Sequence, residues 1–565
     1  MKQLIECVPN ISEGRDKNII DQVTAEIEKV EGVKLLDVDP GMTTNRTVIT
    51  FVGEPEPVCE AAYRVVKKTA ELIDMSQHHG AHPRQGATDV CPLIPVSNIT
   101  MEEVVEYAHK LGKRLGDELN IPIYCYEEAA YIKERRNLAY CRTGEYESLS
   151  SRLGTEQWKP DFGPNEWNEH VAHTGATQVG ARDFLVAINY NLNTTSTRRA
   201  NAIAFDVREK GRPMREGGKV TGNLKDENGK PIMIPGTLKA TKAIGWFIED
   251  YGIAQVSMNI TNISVSPVHV CFEEVCSKAA ARGVRVTGCE IVGLVPKKVL
   301  MDAGRFYLAK QQRSLGVSEE EIMKIAIKSM GLDDLKPFDP KEKVIEYLIE
   351  DHSQKKLVDM TCTGFANETA SESPAPGGGS ISAYMGALGA SLATMVANLS
   401  SHKPGWDERW EEFSNWAVKG QAIKDELLEL VDEDTNAFNK IMDAFGLPKK
   451  TDEEKTARSA AIQEATKYAT QVPFRTMKVA FKAFEVVRAM AETGNPNSVT
   501  DAGVGALCAR SAVMGAHLNV KINASSLKDE AFKAEILKEA AEIEAAALVQ
   551  EAEILQIVNK VIAGE

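Results

Sequence analysis

The patterning of this chain changes character near Thr361, and no single layered fold accommodates both halves. Before that point, short β-branched runs alternate with amphipathic helical stretches. Beyond it strand signals nearly vanish and long helical periods run to the end. The expected architecture is therefore multidomain: an α/β (α+β) module of two subdomains, followed by an all-α helical bundle. Residues 47–52 and 184–188 have strand composition, as do 255–260 and 286–295. Thr100 with Glu103 reads as a capping box, followed by Val104, Val105, Ala108, Leu111, Leu115 and Leu119 on one face. A polar, glycine-containing loop over 158–180 splits the first half. The divisions expected are 1–180, 181–335, a linker at 336–358 around Pro337, Phe338, Asp339 and Pro340, and 359–565.

Among the 565 residues, 43% are hydrophobic and 26% charged, which suits ordinary folded domains. A net charge of −15 argues against nucleic acid as a partner. It leaves room for a small anionic ligand held by a local cluster of Lys and Arg. The ten cysteines form no C-x-x-C pair, so reduced thiols in a cytoplasmic protein are expected. Met1 to Glu6 does not resemble a signal peptide. Residues 380–398 are uncharged and long enough for a membrane span. They are rich in Gly, Ala and Ser, which favours a buried helix with close neighbours, so no span is expected.

Residues 77–89 hold His78, His79 and His82, three of the ten histidines. A helical pattern over 58–75 runs into this stretch, and Gly80 and Pro83 break it, placing the histidines on a loop. Such a loop suits acid/base work near neutral pH. Arg84 is suited to gripping a carboxylate, and Asp89 to orienting an imidazole. A zinc site and a purely structural loop remain alternatives, although no H-E-x-x-H helix or cysteine at ligand spacing is present.

A second constellation lies on a helix. Ile423, Leu427, Leu430, Phe438, Ile441 and Phe445 recur at steps of three and four, and Asp434 falls within that stripe. Asp432 projects to the opposite side. An acid on an apolar face has its pKa raised by desolvation, as a general acid/base requires. A structural aspartate bonded to a neighbouring helix fits the periodicity equally well. Gly377, Gly378, Gly379 and Ser380 open the small-residue helix, where exposed N–H groups favour an anion. Capping by Ser380 explains much of that pattern.

The first half resembles the glutamate formimidoyltransferase family. The carriers are the segments 6–15, 36–41 with 44–47, His82-Pro83-Arg84 with Gly86, and Asp89-Val90-Cys91-Pro92. Asp161-Phe162-Gly163-Pro164, Gly175-Ala176, Gly180-Ala181-Arg182 and Gly293-Leu294-Val295-Pro296 follow. The resemblance implies that His82 is the catalytic histidine. It implies that the loop after Asp161 contributes a folate site, here Gly163, Pro164, Asn165, Glu166, Trp167, Thr174 and Gly175. Asn10, Asp39 and Arg84 are candidate substrate contacts. The sequence departs from the family in a longer loop at 165–174, with His170 and His173, and in an expanded 212–238.

The second half resembles formimidoyltetrahydrofolate cyclodeaminases and the related methenyltetrahydrofolate cyclohydrolases. Its carriers are Pro376 to Ser380, Val431-Asp432-Glu433-Asp434 with Ala437-Phe438, Gly494-Asn495 with Ser498 and Asp501, and His517-Leu518-Asn519-Val520 with Asn523. The family's catalytic aspartate corresponds to Asp434. Gly377, Gly378, Gly379 and Ser380 are candidate substrate contacts.

Together the resemblances imply tetrahydrofolate as co-substrate, with or without a polyglutamate tail, N-formimidoyl-L-glutamate as donor, no metal, and a homo-oligomer. The rivals are a cyclohydrolase in the second half, a non-catalytic helical assembly domain, and a metal protein built on the His78–His82 loop.

Overall fold

Strand-forming runs in the first half become a sheet only where helices cover their apolar side chains. The structure, a computed structural model, describes residues 3–42, 45–80, 83–218, 222–349 and 356–564. The chain divides into two compact units, Met1–Ala303 with Met330–Glu350, and Gly304–Ser329 with Asp351–Glu565.

The first unit opens with a seven-stranded sheet: β1 (Leu4–Cys7), β2 (Asn10–Ile11), β3 (Val33–Gly41), β4 (Arg46–Gly53), β5 (Thr88–Ser97), β6 (Ile123–Glu127) and β7 (Thr177–Ala181). β1 and β2 both lie antiparallel between β4 and β5. Pro9, between them, has no N–H to give a ladder, which accounts for the break. β7 runs parallel to both β5 and β6. The loop expected over 158–180 therefore ends in a fully buried strand that links the sheet's two parts. Its residues, Thr-Gln-Val-Gly-Ala, carry too little β-branched character to announce it. Helices α1 (Lys17–Glu28), α2 (Pro55–Leu72) and α3 (Met101–Leu119) share the main core with strand residues such as Ile5, Cys7 and Phe51. The reciprocal capping box at Thr100 and Glu103 is formed, and Val104, Ala108, Leu111 and Leu115 are buried.

The second subdomain of this unit has β8 (Val186–Leu192), a short ribbon of β9 (Arg212–Pro213) and β10 (Met233–Ile234), then β11 (Thr241–Ile248), β12 (Ile253–Ile260) and β13 (Val286–Val292). Four of them form an antiparallel sheet in the order β11-β12-β8-β13, with α4 (Thr197–Val207) and α5 (Val268–Ala280) packed on it. Alternation along β8 sets apolar Ile188 and Tyr190 against amides Asn189 and Asn191. Gln255 Nε2 donates to Asn191 Oδ1 at 2.8 Å, which satisfies part of that polar row.

The linker expected at 336–358 is structured over Pro340–Lys343 and Ile345–Ile349. Val344 bridges to Val295, and Ile345 is buried with Val52, Ile94 and Phe184. Charged neighbours on the surface hid this two-residue apolar anchor. Likewise, residues 304–329 belong to the second unit, so the chain does not divide cleanly at 335.

The helices α6 (Lys297–Lys310) and α7 (Glu319–Met330) precede a bundle of α8 (Gly378–Ser401), α9 (Trp410–Gly446), α10 (Asp452–Thr493), α11 (Val499–Ala524) and α12 (Glu530–Ala563). α8 packs against α9, α10 and α11. Its Ala383, Gly386, Ala387, Gly389 and Ala390 are buried, and a Cβ on Gly389 would lie 2.9 Å from the carbonyl oxygen of Gly505. Small residues thus allow near-backbone contact between helices. By length and composition α8 is apolar enough to cross a membrane, yet 61% of its most apolar window is buried inside this unit.

Candidate active sites

After α2 the chain turns through His78 and His79. His82 lies outside the described residues. On one side of it in sequence, Gly80 lines a cavity of about 400 Å³. On the other, Pro83 lines a cleft of about 820 Å³. Gly144 and Glu145 line both spaces.

His78 is buried, with Nε2 2.9 Å from the carbonyl oxygen of Asn45 and Nδ1 accepting from Arg84 Nε at 3.2 Å. Both ring nitrogens are engaged, and burial pushes its pKa down. The ring is therefore neutral, with Nε2–H as donor. Arg84, a candidate substrate contact, lines the 400 Å³ cavity with its guanidinium already engaged by carboxylates. It is buried and bonded to Glu147 at 2.9 and 2.7 Å and to Glu145 at 3.3 Å. The Glu147 hydrogen bonds hold its pKa above the usual value. Asp89 was expected to orient an imidazole. Its carboxylate instead accepts the Gln85 N–H at 2.9 Å and pairs with Arg142. Buried ions require partners; here they come from residues 142–147, which no local spacing connects to the histidines.

The 820 Å³ cleft opens at the carboxyl ends of β6 and β7, where open α/β sheets commonly bind ligands. Tyr126 and Glu127 end β6, and Arg182 follows β7. Lys242, Thr261 and Asn262 line it from the second subdomain. Arg142, Arg182 and Lys242 thus bring three cations to one cleft. Glu127 is held at φ 54°, a left-handed conformation that costs a glutamate energy. Burial raises its carboxyl pKa against the opposing pull of Arg182. Of these groups only Arg182 sat in a noted sequence motif. Glu127, Arg142 and Lys242 carried no periodic or spacing signal.

None of the seven residues expected to hold folate lines this cleft. Gly163, at φ 80°, packs against α3 and the segment before β6, where a Cβ would collide with the carbonyl of Ile121. Pro164 is half-buried beside it, Glu166 is exposed, and Asn165 Oδ1 accepts the Gly154 N–H at 3.1 Å. Trp167 is 38% exposed, with its ring 5.9 Å from Tyr146. Thr174 and Gly175 brace the histidine-loop segment: Ala87 N–H donates to the Thr174 carbonyl at 2.8 Å, and Gly175 packs on Gln85. Asn10 is buried in β2, its amide donating to the Val8 carbonyl at 3.1 Å. Asp39 is exposed on β3, and neither residue lines a described cavity.

In the second unit, Gly377, Gly378, Gly379, Ser380 and Asp434 come together. Gly377 is the N-cap of α8, so Ser380 is not the cap. Asp434 reaches across from α9 and does that work: its Oδ2 accepts the Ser380 N–H at 2.9 Å and the Ser380 hydroxyl at 3.2 Å. Any side chain on Gly379 would collide with this carboxylate. Desolvation raises the pKa of Asp434, against the two Ser380 hydrogen bonds that lower it. The flanking acids also have partners. Asp432 Oδ1 accepts the Leu357 N–H at 2.6 Å, so it is fastened rather than solvated. Glu433 takes the Tyr468 hydroxyl and lies 3.8 Å from Lys440 Nζ. The apolar stripe is buried at Leu427 and Leu430, but Phe438 is 39% and Phe445 50% exposed. Asn519, on α11, approaches the same helix end: a Cβ on Gly378 would lie 3.3 Å from its Nδ2.

The first unit thus offers a cleft lined by cations, and the second a desolvated carboxyl at a glycine-opened helix, as the candidate sites of a two-module enzyme. Family models match in the same order: the formiminotransferase domain, N-terminal subdomain, over residues 4–182; the formiminotransferase domain over 187–350; and formiminotransferase-cyclodeaminase over 361–542. The formimidoyltransferase-cyclodeaminase of Mus musculus is 41% identical over 534 residues, 94% of each chain. A glutamate formimidoyltransferase of Streptococcus pyogenes is 40% identical over 308 residues, 54% of this chain and 94% of its own. A methenyltetrahydrofolate cyclohydrolase of Methylorubrum extorquens is 42% identical over 179 residues, 32% of this chain and 86% of its own. The chain belongs to the formimidoyltransferase-cyclodeaminase family.

Proposed function

We propose that the chain carries out two consecutive folate reactions. The first unit moves the formimidoyl group from N-formimidoyl-L-glutamate to nitrogen 5 of tetrahydrofolate. The second closes that group onto nitrogen 10, releasing ammonia and leaving 5,10-methenyltetrahydrofolate. What carries the reading is the pairing of both modules, in one order, in a relative that matches along 94% of the chain.

Transfer needs a base for the attacking nitrogen 5 and a donor for the departing glutamate nitrogen, and His82 serves as both in turn. Arg182 and Lys242 supply cations for the carboxylates of donor and folate, beside Arg142, which is paired with Asp89. Trp167 offers exposed aromatic surface beside half-buried Tyr146 for the folate ring system, with or without a polyglutamate tail. In ring closure the amidinium cation becomes a methenyl cation and neutral ammonia. The proton lost by nitrogen 10 is the one gained by the departing nitrogen, so a single carboxyl, Asp434, suffices.

A homo-oligomer is supported by exposed large apolar side chains on α8 (Leu388, Met395, Leu399) and α11 (Val504, Leu507, Leu518, Ile522). A cytoplasmic setting is supported by ten free thiols.

The cyclohydrolase relative favours a second reading, in which the helical unit hydrates the methenyl product. Supplying N-formimidoyl-L-glutamate and tetrahydrofolate while following methenyl absorbance and ammonia together separates the two. The reading expects methenyl formation with one ammonia per turnover. A halt at 5-formimidoyltetrahydrofolate with no ammonia released, together with hydration of separately supplied 5,10-methenyltetrahydrofolate, would replace ring closure by the second reading.

A further inference from the structure

The segment His517-Leu518-Asn519-Val520 has no part in the chemistry described so far, yet Asn519 approaches the same glycine-opened end of α8 as Asp434. The two side chains come from α11 and α9, helices that flank α8. They meet consecutive glycines: Gly379 is closed off by the Asp434 carboxylate and Gly378 by the Asn519 amide. The two glycine Cα atoms are about 3.8 Å apart across their trans peptide bond. Gly378 is exposed, and Asp434 and Asn519 are both half-buried, so solvent reaches this helix end.

Hydrogen bonding shows which acceptor atoms at this helix end have no described donor. Asp434 spends Oδ2 on Ser380, and no described group donates to its Oδ1. Asn519 donates Nδ2 to the Gly515 carbonyl at 3.0 Å, which sets the amide's orientation. No described group donates to its Oδ1. The site therefore presents two acceptor oxygens with no described donor, one anionic and one neutral, at a glycine pair that adds no side chain of its own.

A protonated formimidoyl group is the complementary object. It is planar and cationic, and its terminal nitrogen carries only N–H donors. We propose that Asn519 is a substrate-positioning residue for ring closure, its Oδ1 accepting from the terminal formimidoyl nitrogen while Asp434 exchanges the proton. This rests on the assignment of ring closure to Asp434. With its terminal nitrogen held, the formimidoyl carbon turns toward nitrogen 10. The new bond is N10–C, and the bond that breaks is C–N to the held nitrogen. The proton from nitrogen 10 passes through Asp434 to the departing group, which leaves as ammonia.

The oxygen isostere 5-formyltetrahydrofolate separates positioning from mere structural support, because its terminal oxygen offers no N–H. In the full-length protein, Asn519→Ala should raise KM for 5-formimidoyltetrahydrofolate by about 10- to 100-fold, the worth of a hydrogen bond to a charged group. It should leave the inhibition constant of the 5-formyl isostere and the pH profile of kcat unchanged. An equal loss for substrate and isostere would mean a structural role and overturn the proposal. So would a parental KM in Asn519→Ala. Asp434→Asn is measured alongside: if it still closes the ring, the assignment of the site itself fails, however Asn519 behaves.

Discussion

The two units put charge to work in opposite ways. In the α/β unit, most ionic groups near the histidine loop are spent on one another: Arg84 on Glu145 and Glu147, and Asp89 on Arg142. Those pairs hold a loop in place while other groups, Glu127, Arg182 and Lys242, reach the cleft. In the helical unit one carboxyl is left desolvated at a helix end with hydrogen bonds only from Ser380. A loop needs a network to fix it, whereas a helix fixes a side chain through its own backbone. Chemistry on loops is therefore surrounded by structural charges that look functional, and chemistry on helices stands out.

The largest effect should come from the loop. Replacing His82 by Ala should lower transfer by roughly 10²–10⁴-fold, the usual worth of a positioned acid/base. Ring closure on supplied 5-formimidoyltetrahydrofolate should stay near the parental rate, and His79→Ala should do far less. A full transfer rate in His82→Ala would remove the histidine from the comparison.

Next is the crowding at α8. A methyl group on Gly379 displaces the Asp434 carboxylate. A shift of about 1 Å costs on the order of 10²-fold in rate, so Gly379→Ala should slow ring closure by that much. Transfer should be untouched, and a parental ring-closure rate would show that the position of Asp434 is not critical.

The contrast also extends to carboxyls outside both centres. Glu6 on β1 is 5% exposed, and burial lifts its pKa from the ordinary 4.5 to about 7, against Arg182 and with help from Glu346. The native state holds that proton more tightly than the unfolded chain. Its stabilising contribution is complete below pH 4.5 and is lost as pH rises through about 7. Glu6→Gln should abolish a pH-dependent loss of stability of up to about 3 kcal/mol, read as a flatter denaturant midpoint across that range. An unchanged slope would show that Glu6 does not titrate there.

Asp432 should show the smallest effect. Asp432→Asn weakens the bond that fastens Leu357, so it should cost about 1 kcal/mol of stability and leave ring closure within about threefold of the parent. Loss of ring closure in Asp432→Asn would move the chemistry to the opposite face of α9.

The sequence made the change of fold near Thr361 legible because helical and strand periods differ. It made Asp434 legible because an acid interrupts a stripe of period 3.6. The burial of that stripe beyond Ala437 was not legible, since periodicity shows which residues share a face and not what covers it. Ser380 looked like a cap, and the true capping group is 54 residues away on another helix. In the α/β unit, the fate of Arg84 and Asp89 depended on partners more than 50 residues distant in sequence. Glu127 and Lys242 join one cleft only because β6 ends and β11 begins there. The folded turn at Val344 and Ile345 was missed because two apolar residues among charges carry no period.

The central claim is that the two units hold independent proton-transfer groups acting in sequence, and Asp434→Asn tests it most directly. Asparagine keeps the shape and the acceptor for Ser380 while removing titration. In a single turnover with N-formimidoyl-L-glutamate and tetrahydrofolate, 5-formimidoyltetrahydrofolate should accumulate at the parental rate, with ammonia release slowed by roughly 10²–10⁴-fold. Ammonia released at the parental rate, or transfer slowed as much as ring closure, would contradict the account.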